Sequence, residues 1–219
     1  MKYLSYPIDE QTPTYGNRDQ VVFSKAASIQ NGDAANNTHI QSTSHVGTHV
    51  DMPYHFYEDG QSIDDFPSEF WIFHSVLYLE IEPKGFVVHD ELVSVLEQIP
   101  HLETYEALIV KTGDGAKRGT SEYWESNTGF HSDLADYFRR KLPKLRLFGF
   151  DTISVSSLQN RPMGRAAHLA FLDPAQAIIL LEDMDLEPLN PNSQISKLIV
   201  APLRLRGCDG LPCTILAEF

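Results

Sequence analysis

Between positions 45 and 55 the chain reads His-Val-Gly-Thr-His-Val-Asp-Met-Pro-Tyr-His, three imidazoles and a carboxylate within eleven residues. With 9 histidines in 219 residues, an average window of that length holds fewer than one. His45, His49, Asp51 and His55 all fall on odd numbers, so in an extended chain they share a face. Imidazole nitrogens and carboxylate oxygens are donors that Zn2+ and Mn2+ accept. The cluster therefore reads as a metal centre for one or two ions, with Asp51 able to bridge a pair. Two or three protein ligands leave an open position, where an ion draws the pKa of a water towards about 7. His55 is then either a ligand to a second ion or the base that takes the water's proton.

Bringing these donors together takes a bend. Fully extended, positions 45 and 55 stand roughly 33 Å apart, whereas ligand atoms sit about 2 Å from an ion. Gly47, free to take unusual dihedrals, and Pro53, with its fixed φ, give the segment a physical cause to curl. The cluster alone does not surround two ions, so distant partners are expected. His168 is one candidate, reached through the loop-like stretch Arg161-Pro162-Met163-Gly164-Arg165. Glu182, at the tip of the apolar run 177–181, is another, and Asp183 beside it is an equally acidic alternative. On the residues alone, a hydrogen-bonded histidine and a solvated glutamate are the plainer account of both. His39, His74, His89, His101 and His131 read as structural.

The elements that must hold these residues are short. Runs rich in β-branched and aromatic residues, bounded by Gly, Pro, Asn or Asp, predict strands at 21–23, 38–43, 75–81, 107–112, 145–150, 177–181, 197–205 and 214–217. Asp90 can cap a helix carrying Leu92, Val93, Leu96 and Ile99, with Pro100 ending it. Ser132 can cap another with Leu134, Tyr137, Phe138 and Leu142 on one face, stopped by Pro143. A short helical turn is expected at 166–172. The fold class is α/β, a strand-rich mixed sheet with few helices, expected as a single domain over residues 1–219.

Bulk properties exclude several partners. A content of 42% hydrophobic and 21% charged residues is ordinary for a globular protein. The net charge of −13 disfavours nucleic acid or an anionic membrane as partner. The one basic cluster, Arg139-Arg140-Lys141 with Lys144 and Arg146, reads as the solvated end of a helix. Cys208 and Cys213 are expected to be free thiols. No apolar stretch near the start reads as a signal peptide, and none is long enough to span a bilayer, so a cytoplasmic location is expected.

The eleven-residue cluster resembles the His-x-Gly-Thr-His-x-Asp-x-Pro-x-His signature of the cyclase family, which includes arylformamidases and isatin hydrolases. Shorter matches accompany it: Leu4-Ser5-Tyr6-Pro7-Ile8, Thr112-Gly113, Gly149-Phe150-Asp151-Thr152-Ile153-Ser154, and Ala201-Pro202-Leu203 followed by Gly207, Asp209-Gly210 and Pro212. The resemblance implies a swivelling β/β/α fold, a homo-oligomer (dimer or tetramer), and a Zn2+ or Mn2+ centre that hydrolyses a small-molecule amide. By position it implies His45, His49 and Asp51 as ligands of a first ion, and His55, His168 and Glu182 as ligands of a second. His55 or Glu182 would carry the proton. A metal-dependent lyase or cyclase acting on a small carbonyl compound is the alternative, as is a non-catalytic metal- or ligand-binding protein. One departure concerns the substrate wall. Members related to formamidases tend to carry a Trp-Pro-Gly-Asp-like stretch where this chain has Tyr15-Gly16-Asn17, and its only tryptophans are Trp71 and Trp124. Tyr15, Phe56, Tyr57, Phe66 and Trp71 are candidate pocket aromatics, with core packing as their default explanation.

Overall fold

The structure, a computed structural model, describes residues 1–219. In chain order the strands are β1 (Lys2–Tyr3), β2 (Val22–Ala27), β3 (Asn37–Gln41), β4 (His49–Asp51), β5 (Ile72–Phe73), β6 (Val76–Glu80) and β7 (Val87–Val88). They continue as β8 (Ala107–Lys111), β9 (Gly129–Phe130), β10 (Leu147–Phe150), β11 (Ile179–Glu182), β12 (Lys197–Pro202) and β13 (Gly210–Glu218). Four helices accompany them: α1 (Asp90–Leu96), α2 (Glu122–Glu125), α3 (Asp133–Lys141) and α4 (Arg161–Phe171).

A mixed sheet of nine strands runs β5-β12-β13-β4-β11-β10-β8-β6, with β1 also on β13. β6, β8, β10 and β11 are parallel neighbours, and the other pairings are antiparallel. The long strand β13 pairs with β4 through Gly210–Pro212 and with β12 along Cys213–Glu218. It thereby bends the sheet into a nearly closed, barrel-like wall.

Period-two alternation gives the central strands two buried faces. Ile109, Leu147, Ile179 and Leu181 point into one core, closed by Leu198 and Val200 of β12 and by Leu211 and Ile215 of β13. Leu108, Val110, Phe148, Phe150 and Leu180 point into the other, covered by Leu92 and Leu96 of α1, Phe138 of α3, and Ala167 and Phe171 of α4.

That alternation also decides where the polar residues go. β4 pairs His49 with Glu182, Val50 with Leu181 and Asp51 with Leu180. Val50 and Leu181 belong to the first core. His49, Asp51 and Glu182 therefore lie together on the opposite face, the one that α4 covers. On α4 the buried stripe is Gly164, Ala167, His168 and Phe171, the spacing of one helical face.

Several local expectations need correction. The stretch 161–165 is not a loop: α4 starts at Arg161, because the Asn160 side chain accepts from the Met163 N–H and a proline is tolerated in the first turn. Residues 49–51 form a central strand rather than following one. The helix expected from an Asp90 cap begins at Asp90 itself, with His89 at the cap position. Strand 197–205 stops at Pro202, and strand 214–217 extends back to Gly210. Of the basic cluster, Arg140 and Lys141 are exposed in the last turn of α3. Arg139 instead donates to the carbonyls of Ala170 and Gln176, and Arg146 lies 4.0 Å over the Phe73 ring. Both cysteines are free. No helix is long and apolar enough to cross a membrane.

Candidate metal centre

The β4–β11 register and the buried stripe of α4 bring His49, Asp51, His168 and Glu182 into a closed ring of donors. His49 Nε2 lies 3.3 Å from Asp51 Oδ1 and 3.5 Å from Glu182 Oε2. His168 Nε2 lies 3.3 Å from Asp51 Oδ2 and 3.9 Å from Glu182 Oε1. Each carboxylate thus offers one oxygen to each imidazole. These separations exceed the optimum for an N–H···O hydrogen bond, about 2.9 Å. They match two donors each about 2.1 Å from a shared cation. None of the four residues is more than 7% exposed.

The rings are oriented from behind. His49 Nδ1 donates to the Gly47 carbonyl at 2.8 Å, and His168 Nδ1 donates to the Gly164 carbonyl at 2.9 Å. A carbonyl only accepts, so each Nδ1 carries a proton and each Nε2 faces the carboxylates. Such an arrangement demands positive charge, as extra protons or as a cation, and a histidine anchored through its other nitrogen is the usual form of a metal ligand. Gly47 makes its contribution at φ 61°, in the left-handed region.

His45 and His55 gather on the other side of Asp51. His45 Nδ1 bonds Asp51 Oδ1 at 2.7 Å, and its Nε2 bonds Asp209 Oδ2 at 2.9 Å. The same Asp209 oxygen accepts from His55 Nδ1 at 3.0 Å, leaving His55 Nε2 free. The donors form two groups sharing Asp51: His49–Asp51–Glu182, with His168 beside it, and His45–Asp51–His55. The resemblance divides the same residues differently, pairing His45 with His49. Gly210 is needed here for space, since a Cβ would stand 2.5 Å from His45 Cε1.

Proton affinities report the same deficit of positive charge. Burial disfavours charge on His45, yet Asp51 and Asp209 outweigh it and raise its pKa to about 10. His49 is raised in the same way, by Asp51 and Glu182 against burial. Burial, reinforced by the Asp51 charge, lifts Glu182 to about 8. Burial opposes ionisation of Asp51 as well, but His45 and His168 hold it well below the carboxylate range. Hydrogen bonds from His45 and His55 hold Asp209 low.

Asp183 stands apart from the ring. Arg118 grips it through Nε at 2.9 Å and Nη2 at 3.0 Å, and the Tyr123 hydroxyl donates to it. Glu182 Oε1 instead accepts from the Val155 N–H at 2.7 Å and from Ser154 Oγ at 3.4 Å. The stretch 149–154 thus has two jobs. Its end steadies Glu182, and its Asp151 ties down the turn after β8 by accepting from Thr112 and Gly113. Asp209 joins the candidate site through both His45 and His55, a place not expected from sequence, where it stood only in the Asp209-Gly210 stretch of the C-terminal match.

The donors open into a cavity of about 610 Å³. Tyr15, Phe56 and Ile153 contribute to its wall, and Arg18, Arg161 and Arg165 also line it. Phe56 stacks on the His168 ring at 4.5 Å between centroids. Among the other aromatics considered from sequence, Phe66 and Trp71 pack around the first core and Tyr57 against the second.

Comparison with known proteins agrees with this architecture. The chain is 25% identical over 209 residues to the kynurenine formamidase of Bacillus cereus, covering 95% of this chain and 92% of that protein. It is 28% identical over 193 residues to cyclase-like protein 3 of Oryza sativa, covering 85% of this chain and 67% of that one. Isatin hydrolase A from Labrenzia aggregata, solved with benzyl benzoate bound, superposes with a TM-score of 0.80 at 21% identity, over 99% of this chain and 92% of that one. A predicted metal-dependent hydrolase from Bacillus stearothermophilus gives a TM-score of 0.73 at 20% identity, over 99% and 96%. The family described as Putative cyclase matches residues 3–157, and with most of its length so matched the chain belongs to that family.

Proposed function

We propose that the chain is a metal-dependent hydrolase of a small amide, either a formamide on an aromatic ring or a cyclic amide. The observation that carries this reading is the buried ring of His49, Asp51, His168 and Glu182, at contact distances suited to a shared cation, in a cavity of about 610 Å³. The names of the relatives and structural neighbours support it. Zn2+ and Mn2+ both suit the mixed nitrogen and oxygen donors. His45, His49, Asp51, His55, His168 and Glu182 would hold one ion or two, with Asp51 shared. A cation bound there supplies Lewis acidity, polarising an amide carbonyl and drawing the pKa of a nearby water towards about 7.

The chain's own groups do the rest. Phe56, Tyr15 and Ile153 give the ring of the substrate an apolar wall and turn the amide towards the donors. Attack of the water oxygen on the carbonyl carbon and breakage of the carbon–nitrogen bond require one proton to pass from water to the departing amine. His55 would either hold an ion or carry this proton, since with Nδ1 bonded to Asp209 only its Nε2 is free at the cavity. Glu182, buried beside the same donors, is the alternative carrier.

Asp51→Ala tests the assignment, because it removes the one residue common to both donor groups. The variant is expected to lose bound ion, measured by elemental analysis, together with turnover of formanilides and isatin-like rings. Hydrolysis in heavy-oxygen water must place one solvent oxygen in the acid product. Full ion content and full turnover in Asp51→Ala, or no turnover of any amide by ion-loaded protein, overturns the reading.

A further inference from the structure

The cavity mouth carries charge of the sign opposite to that of the protein. The chain has 30 acidic and 17 basic residues, yet three arginines, Arg18, Arg161 and Arg165, line this one opening. Arg118, Arg139, Arg146 and Arg206 are each paired with a carboxylate. The three at the cavity have no such partner. Asp19 is the one acid sharing their rim; the other acids of the lining, Asp51, Glu182 and Asp183, are buried.

Two of these arginines are spaced to the metal centre by the helix itself. Arg161, Arg165 and His168 follow one another at intervals of four and three, so they rise along one face of α4. At 1.5 Å per residue, Arg165 stands about 4.5 Å and Arg161 about 10 Å along the axis from His168. The Arg165 guanidinium lies 5.7 Å from the centroid of Phe56, whose ring stacks on His168. That contact sets the guanidinium beside the aromatic wall of the cavity while the side chain stays exposed to solvent and to an incoming ligand.

We propose that Arg161 and Arg165 recognise a carboxylate on the substrate, so that the preferred amide is anionic. This rests on the amide-hydrolase reading of the same site. The carboxylate lies at the mouth, about one aromatic ring away from the scissile carbonyl, while the ring itself lies against Phe56. Guanidinium groups bind a planar carboxylate in two-point fashion and stay charged at every relevant pH. At the mouth the anion also keeps its distance from Asp51 and Glu182, which would repel it deeper in.

The test compares formanilide with its ring-carboxylated counterpart on ion-loaded wild type and on R161Q/R165Q. Wild type is expected to favour the carboxylated amide in kcat/KM by roughly 10- to 100-fold, the yield of one or two charge-assisted hydrogen bonds. In the double variant the ratio should collapse towards unity, with the loss in KM. Rising salt should erode the preference in wild type alone. A merely structural defect would lower both substrates alike and leave the ratio standing. A separate arm measures binding of 4-aminobenzoate, whose carboxylate lies across the ring from the nitrogen, and of aniline by calorimetry. Arginine-dependent binding of the acid without turnover of any amide would sink the hydrolase reading and uphold anion recognition. No preference for the charged compound in wild type, or a preference that survives in the double variant, overturns the proposal.

Discussion

Asp209 shows how one residue can organise two others without being a donor to either group itself. Its Oδ2 accepts from both His45 and His55, and its Oδ1 accepts from Ser44. The His55 ring packs against His45 and Phe56, and Asp209 supplies its hydrogen bond, so the direction of its free Nε2 depends in part on the Asp209 charge. Carboxylates placed behind functional histidines contribute about 10- to 100-fold to affinity or activity. Asp209→Asn keeps the size and removes the charge, and turnover is expected to fall by about that factor. Asp209 is 36% exposed, so the thermal midpoint should move little. Steady-state kinetics with parallel thermal melts checks this, and undiminished turnover would remove Asp209 from the account. In the sequence this residue stands only in the Asp209-Gly210 stretch of the C-terminal match, which says nothing of His45 or His55. Its proximity to His45 arises only because β13 pairs Gly210 with Asp51 across 159 positions of chain.

At the scale of elements, α4 is the part on which the site most depends. Gly164 packs so closely on Ser156 that a Cβ would stand 1.6 Å from Ser156 Oγ and 2.8 Å from its Cα. Alanine is intrinsically the better helix former by about 1 kcal/mol, but overpacking of this kind costs about 1–3 kcal/mol. Gly164→Ala should therefore destabilise the protein, and should also lower ion affinity, since the displaced helix carries His168 one turn further on. Ser156→Gly in the same chain removes the nearest atoms and should recover part of both losses. Denaturant melts and a chelator titration read the two effects; a stabilised Gly164→Ala would contradict the packing argument. This helix was half legible. The apolar face near its end could be read, but Arg161-Pro162 looked like a loop, although Asn160 followed by a first-turn proline is a helix start. The runs at β8, β10 and β11 were legible because short apolar segments between breakers have few other uses. Strand β4 was not. Three residues with a histidine and an aspartate become a strand only because β11 and β13 flank them. The six candidate donors could be named from local spacing and family resemblance, whereas their grouping around Asp51 depends on that long-range register.

For the molecule as a whole, the centre couples folding, protons and cation. In the ion-free protein His45 is raised to about 10 and Glu182 to about 8. A group with a raised pKa contributes stability that is complete below its ordinary value and is lost as pH climbs through the raised one. Asp51 and Asp209 have the opposite sign, adding stability above the ordinary carboxylate range that is lost only in acid. Between neutrality and about pH 10 the first pair decides the slope, so ion-free protein should weaken steadily across that window. A bound cation supplies the charge that the protons supplied. Loaded protein should then be far less sensitive to the same change, and ion uptake near neutral pH should release protons. At an ion concentration 100 times its dissociation constant, the added stability is about 2.7 kcal/mol, and the gap between the two forms should widen as pH rises. Denaturant unfolding at neutral and alkaline pH, with and without Zn2+ or Mn2+, measures that gap. Calorimetry in buffers of different ionisation enthalpy counts the protons released. Equal stability of the ion-free protein at both pH values, or ion uptake without proton release, would show that these buried carboxylates and imidazoles are not awaiting a cation.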